Sequence, residues 1–143
     1  MALLNKDQIK EIIPHRDPFL LIDEVLELEP GKRAVALKHL KEDEYWFQGH
    51  FPGYPVQPGV LTVEMLAQTG AVCILSVPEY KGKVAFFAGI DKARFRRQVR
   101  PGETLRLEVE IIKQRGPVGV CKATAYVGEE RAASAEITCA IGD

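Results

Sequence analysis

A chain of 143 residues fits one domain, spanning 1–143, and is long enough to bury about two thirds of the surface its unfolded form exposes. With 46% hydrophobic and 27% charged residues it is neither disordered nor fibrous, and 19 basic against 20 acidic side chains argue against a nucleic-acid partner. Cys73, Cys121 and Cys139 are too few and too scattered for a disulfide framework, form no C-x-x-C pair and suit a reducing compartment.

The chain opens MALLNKDQIK, without the pattern of a secretory signal, and no apolar run reaches the ~18 residues of a membrane span, so a cytoplasmic protein without a membrane partner is expected. Asn5 caps a short helix over KDQIKEII, with Gln8 three residues on to close a capping box, and Pro14 ends it. FLLIDEVLEL (19–28) and RAVALKHL (33–40), separated by the turn EPGK, read as a first hairpin. Residues 59–76 carry the long helix, apolar at almost every angular position and therefore enclosed by protein. Four long strands follow: KVAFFAGIDKARFRRQV, TLRLEVEII, GVCKATAYV and RAASAEITCAI. TLRLEVEII alternates strictly, with Leu105, Leu107, Val109 and Ile111 on one face, the pattern of a strand wet on one side. Short turns at PGE, GPVG and GEE predict an antiparallel meander of these four. The expected architecture is α+β, an antiparallel sheet curled around one buried helix.

That burial makes two polar residues in GHFPGYPVQPGVLTVEMLAQTG (49–70) informative. Glu64 and Gln68 stand one turn apart on a stripe that is otherwise Val, Leu, Met and Ala. A desolvated carboxylate must be paired, protonated or facing a cavity. Burial raises its pKa and the helix N-terminus at Gly59 lowers it, so the sequence leaves the sign open. Before the helix, Pro52, Pro55 and Pro58 recur at the period of polyproline II, a pre-stiffened loop that presents His50, with Gly49, Gly53 and Gly59 permitting close backbone approach.

Each feature has a plainer reading: a structural histidine, a solvated glutamate, a proline turn. Their coincidence within one short stretch favours a site for proton transfer beside a carbonyl. His15, His39 and His50 show no metal-ligand spacing, there is no nucleotide loop, and Ser76 and Ser134 lack a G-x-S-x-G context. In KARFRRQVR, the cations Lys92, Arg94, Arg96, Arg97 and Arg100 form either a solvated strand face or a docking patch for an acidic partner.

GHFPGYPVQPGVLTVEMLAQ resembles the active-site motif of the bacterial (3R)-hydroxyacyl-[acyl-carrier-protein] dehydratases of type II fatty-acid synthesis, a hotdog-fold family, and IPHRDPFLLIDEV and FAGIDKARFRRQVRPGE match two further family segments in the same order. The resemblance covers essentially the whole chain. It implies a catalytic pair, His50 and Glu64, contributed by two subunits of a homodimer, with trimers of dimers common, and neither cofactor nor metal. It also implies acyl carrier protein as the partner that presents the substrate and meets the basic strand. Glutamate at position 64 separates this branch from a related dehydratase/isomerase with aspartate there. Gln57 replaces a usual methionine and raises the question of tunnel polarity and chain-length preference; Asp17, Gln98 and Glu103 are lesser departures.

The mechanism expected from this resemblance and from the residue chemistry has His50 taking the proton beside the thioester while protonated Glu64 donates to the departing 3-hydroxyl. Backbone N–H groups of Gly59 and Val60 would steady the thioester oxygen, with Gln68 and Phe51 in support. Two competitors are a thioesterase, which would release the carrier thiol, and a non-catalytic acyl-binding module, which would need no His50–Glu64 pair.

Overall fold

The computed structural model describes residues 2–143. The N-terminal capping box closes in both directions: Gln8 N–H donates to Asn5 Oδ1 (2.9 Å) and Asn5 N–H to Gln8 Oε1 (2.8 Å), opening α1 (Lys6–Lys10). The helix stops short of Pro14. Glu11 is its C-cap, and the Arg16 guanidinium donates back to the carbonyls of Lys10 (3.0 Å) and Ile13 (2.9 Å), anchoring the segment that carries His15.

The expected hairpin forms from β1 (Glu24–Glu29) and β2 (Arg33–His39), turning at Gly31, whose φ of +76° suits glycine. Residues 19–23, expected in the strand, lie outside the ladder. Leu20, Leu21 and Ile22 are buried there, and a side chain satisfies two backbone groups of the segment: Gln68 accepts from Leu21 N–H (2.9 Å) and donates to Phe19 C=O (2.8 Å). A helix residue has taken the place of a ladder partner.

The long helix, α2 (Gly59–Leu75), ends at Ser76 as its C-cap. It touches all six strands of one antiparallel sheet, so the sheet wraps it as expected. Met65, Leu66, Val72 and Leu75 bury against Leu105, Leu107, Val109, Ala123 and Ile137, the inward positions of the alternating strands. Among the described residues no helix is long and apolar enough to cross a membrane.

The four-strand meander is corrected to three. β4 (Thr104–Arg115), β5 (Val118–Val127) and β6 (Glu130–Gly142) meander, but β3 (Val84–Phe95) pairs with β6, giving the order β1-β2-β4-β5-β6-β3. Alternation reports which face a residue occupies, not which strand lies beside it. The link over residues 96–103 has a reach of roughly 27 Å, ample for the roughly 14 Å of three strand spacings that it must cross. β3 is thereby left at an open edge of the sheet, and Phe86, Phe87, Ile90 and Phe95 on it are exposed. Exposed aromatics on an unpaired edge strand are unusual for a lone chain.

Candidate active site

Residues 40–58 form no helix or strand, yet they are held from several sides. Buried Lys38 pairs with Glu44 (3.0 Å) and Asp23 (3.7 Å) at the loop's start. The Trp46 indole N–H donates to Gln57 Oε1 (2.9 Å), and Gln57 N–H donates to Val99 C=O (2.7 Å). At the helix start Pro58 has polyproline-like angles, φ −62° and ψ 128°. Phe51 and Tyr54 exchange backbone hydrogen bonds (3.0 and 2.8 Å), so Pro52 sits in a turn with Gly53 at φ +74°. The loop's stiffness comes from cross-bracing, because a turn satisfies backbone groups that polyproline II leaves to solvent.

His50 is oriented by this loop. Its Nδ1 lies 2.8 Å from Val56 C=O; a carbonyl only accepts, so Nδ1 carries the hydrogen and Nε2 keeps its lone pair. The Phe51 ring stacks on the imidazole, centroids 4.1 Å apart. His50 lines a cavity of about 570 Å³ together with Val56, Gly59, Val60, Phe95 and Arg96. Pro58 offers the helix no side-chain cap, and the N–H groups of Gly59 and Val60 have no acceptor among the described residues. A Cβ at position 59 would come within 2.7 Å of the Phe95 ring, so any larger residue there requires that ring to move.

Glu64 sits about a turn and a half further along α2, its side chain 15% exposed. Burial raises its carboxyl pKa above the ordinary value, and a hydrogen bond from Gln68 partly offsets this. Gln68 Nε2 donates to Glu64 Oε2 (2.9 Å). The amide cannot be turned round: Gln68 Oε1 is committed to Leu21 N–H, which leaves its NH₂ for Phe19 C=O and Glu64. His15 Nε2 approaches the same Oε2 at 3.6 Å. These groups line a small cavity of about 40 Å³ with Ala67, Ala85, Phe87 and Cys139. Burial, then the charge of Glu64, pushes the Cys139 thiol up to about 11, so it stays protonated.

Within one chain, then, His50 and Glu64 line different cavities, and the fold groups His50 with Gly59 and Val60, and Glu64 with Gln68. Both cavities border β3, the first at Phe95 and the second at Ala85 and Phe87.

The five basic residues also separate. Arg97 is paired with Glu103 (2.7 Å) and Glu130 (3.6 Å), Arg100 stacks on Tyr54 and bonds Gln98 (2.9 Å), and Lys92 pairs with Glu136 (3.1 Å). Arg94 and Arg96 have no acidic partner among the described residues. They line a groove of about 340 Å³ to which β5 and β6 add Lys122 and Arg131. Sequence reasoning missed those two because they are ordinary outward positions until the strands are paired. It also treated His15 only as a possible metal ligand; the signal available was its position in IPHRDPFLLIDEV, between a helix stop and a buried apolar run.

The FabA-like domain matches residues 13–136. The chain is 61% identical to the 3-hydroxyacyl-[acyl-carrier-protein] dehydratase FabZ of Desulforamulus reducens, over 98% of this chain and 99% of that one. To the protein of the same name from Clostridium kluyveri it is 62% identical, over 94% of each. Among solved structures, the dehydratase heterocomplex ApeI:P from Xenorhabdus doucetiae superposes with a TM-score of 0.81 at 15% identity, over 94% of this chain and 91% of that one, a likeness of fold alone. The α+β arrangement of six strands around α2 is the hotdog fold. A family match over most of the chain and identity near 60% from end to end have one reading: this chain belongs to the FabA-like family, in its 3-hydroxyacyl-[acyl-carrier-protein] dehydratase branch.

Proposed function

We propose that this chain removes water from (3R)-hydroxyacyl groups carried on acyl carrier protein, producing the trans-2-enoyl thioester in the fatty-acid elongation cycle. The observation that carries the reading is a complementary pair of groups opening on one sheet edge: a histidine with Nε2 free to accept, and a buried carboxyl held toward its protonated form. His50 Nε2 takes the proton from C2, the C2–H electron pair forms the C2=C3 bond, the C3–O bond breaks, and the proton of Glu64 leaves on the hydroxyl as water. The enzyme then returns the proton from His50 to solvent and regains one on Glu64. The unpaired N–H groups of Gly59 and Val60 receive the thioester oxygen, where charge builds as C2 loses its proton.

Two subunits supply the pair. β3 offers twelve residues of open edge with four large exposed apolar side chains. Pairing this strand antiparallel with its copy about a two-fold axis brings the Phe95 end of one chain toward the Phe87 end of the other. That sets His50 of one protomer beside Glu64 of its partner, and three such dimers make the expected hexamer. Arg94 and Arg96, lacking acidic partners among the described residues, meet the acidic carrier protein. The three buried free thiols suit the reducing cytoplasm.

The assay is incubation with 3-hydroxyacyl carrier protein while following enoyl absorbance and free thiol together. Dehydration predicts enoyl product without thiol release, and a ~10²–10⁴-fold loss of kcat in His50→Ala and in Glu64→Gln. Thiol release would identify a thioesterase. Binding without turnover would identify an acyl-binding module.

A further inference from the structure

Resting on the reading of Glu64 as the acid, we propose that His15 is a positioning residue for it: with Gln68 it directs two N–H donors at Glu64 Oε2, leaving the transferable proton on Oε1 and steadying the carboxylate once that proton has gone.

The observations converge on one oxygen. Gln68 Nε2 lies 2.9 Å from Oε2 and its amide orientation is locked by Leu21 N–H. His15 Nε2 lies 3.6 Å from the same atom, while His15 Nδ1 is buried with no hydrogen-bond partner among the described residues. A buried N–H without an acceptor is costlier than a bare ring nitrogen, so the hydrogen of a neutral His15 belongs on Nε2, facing Glu64. Burial and the neighbouring Arg16 lower the pKa of His15, which favours that neutral ring. Two donors on Oε2 disfavour a proton there, and Oε1 is left to carry it. At 3.6 Å the His15 contact is longer than a hydrogen bond; once Glu64 has donated its proton, the negative charge draws the Nε2–H in. Arg16 holds the His15 backbone in place by bonding His15 C=O (2.7 Å) as well as Ile13 C=O. Among the described residues no other ionised group lines the cavity at Glu64: α2 brings Ala67 and Ala71 beside Gln68, β3 brings Ala85 and Phe87, and β6 brings Cys139, whose thiol is protonated.

The sign of the effect is defined. A donor to the carboxylate keeps the acid stronger, so removing it raises the pKa of Glu64 and weakens the proton donor. His15→Ala is expected to lower kcat about tenfold, with KM within twofold of wild type, and to shift the alkaline limb of the kcat–pH profile to higher pH. His15→Gln, which offers an N–H at similar reach, is expected to restore both. Unchanged kcat and limb in His15→Ala would overturn the proposal, as would a limb shifted to lower pH. Should the variants not fold, the nitrogen-15 imidazole spectrum of the intact wild-type protein decides: hydrogen on Nε2 of His15 is expected, and hydrogen on Nδ1 overturns it. Glu64→Gln serves as the control. If it retains turnover, the acid assignment fails; if it is inactive while His15→Ala behaves as wild type, only the role of His15 fails.

Discussion

Glu64, the proposed acid, illustrates how a site residue opposes stability. Its raised pKa means that the folded state disfavours the charged carboxylate. Stability from this group is therefore fully present below the ordinary carboxyl value of 4.5 and declines as pH rises through the folded-state value. Glu64→Gln, which keeps the shape and removes the charge, is expected to melt on the order of 3 °C above wild type at pH 7.5, the gap closing as pH falls through the raised folded-state value toward 4.5. Thermal scans across pH check this; a variant less stable at pH 7.5 would contradict it. Sequence alone identified the buried position, because a carboxyl on an all-apolar helix stands out by periodicity. It could not sign the pKa, since the helix terminus and burial act oppositely and only coordinates set their weights. His15 escaped notice for a related reason: its partner lies 49 residues away, beyond any local pattern.

At the scale of elements, the loop that aims His50 and the strand beside it are read differently by sequence and structure. Three prolines at a regular spacing suggested polyproline II, but the Phe51–Tyr54 turn and the Trp46–Gln57 bond hold the loop instead. Gln57 bears on the question of tunnel polarity. It lines the cavity beside His50, where its Oε1 accepts from Trp46 and its Nε2 donates to Thr62 Oγ1 (3.3 Å) and Met65 Sδ (3.8 Å), so both ends of its amide are engaged by the protein. Gln57→Met is expected to cost roughly 1–3 kcal/mol of stability by orphaning the buried indole N–H, with chain-length preference unchanged. Denaturant melts and kcat/KM over a series of acyl lengths test both halves. In β3 and the residue following it, charge reversal at Arg94 and Arg96 is expected to raise KM for carrier-linked substrate and to spare a small thioester analogue. Equal loss on the two substrates would refute docking there. Arg97 is omitted from that test because its ion pairs tie it to Glu103 and Glu130.

The whole molecule depends on one feature of strand order that hydrophobic pattern does not encode. Elements, their faces and the central helix followed from periodicities of 2 and 3.6, whereas the position of β3 followed from a link that crosses the sheet. That crossing leaves an apolar edge beside both cavities, and on the proposed shared site a single chain is incomplete as a dehydratase. The most direct measurement is complementation between inactive subunits. His50→Ala and Glu64→Gln chains, each inactive alone, are co-expressed and assayed for enoyl product. Random pairing makes half of the dimers mixed, each with one intact site of two, so about one quarter of wild-type activity is expected. Mixed dimers that form and remain inactive would contradict a site shared between chains.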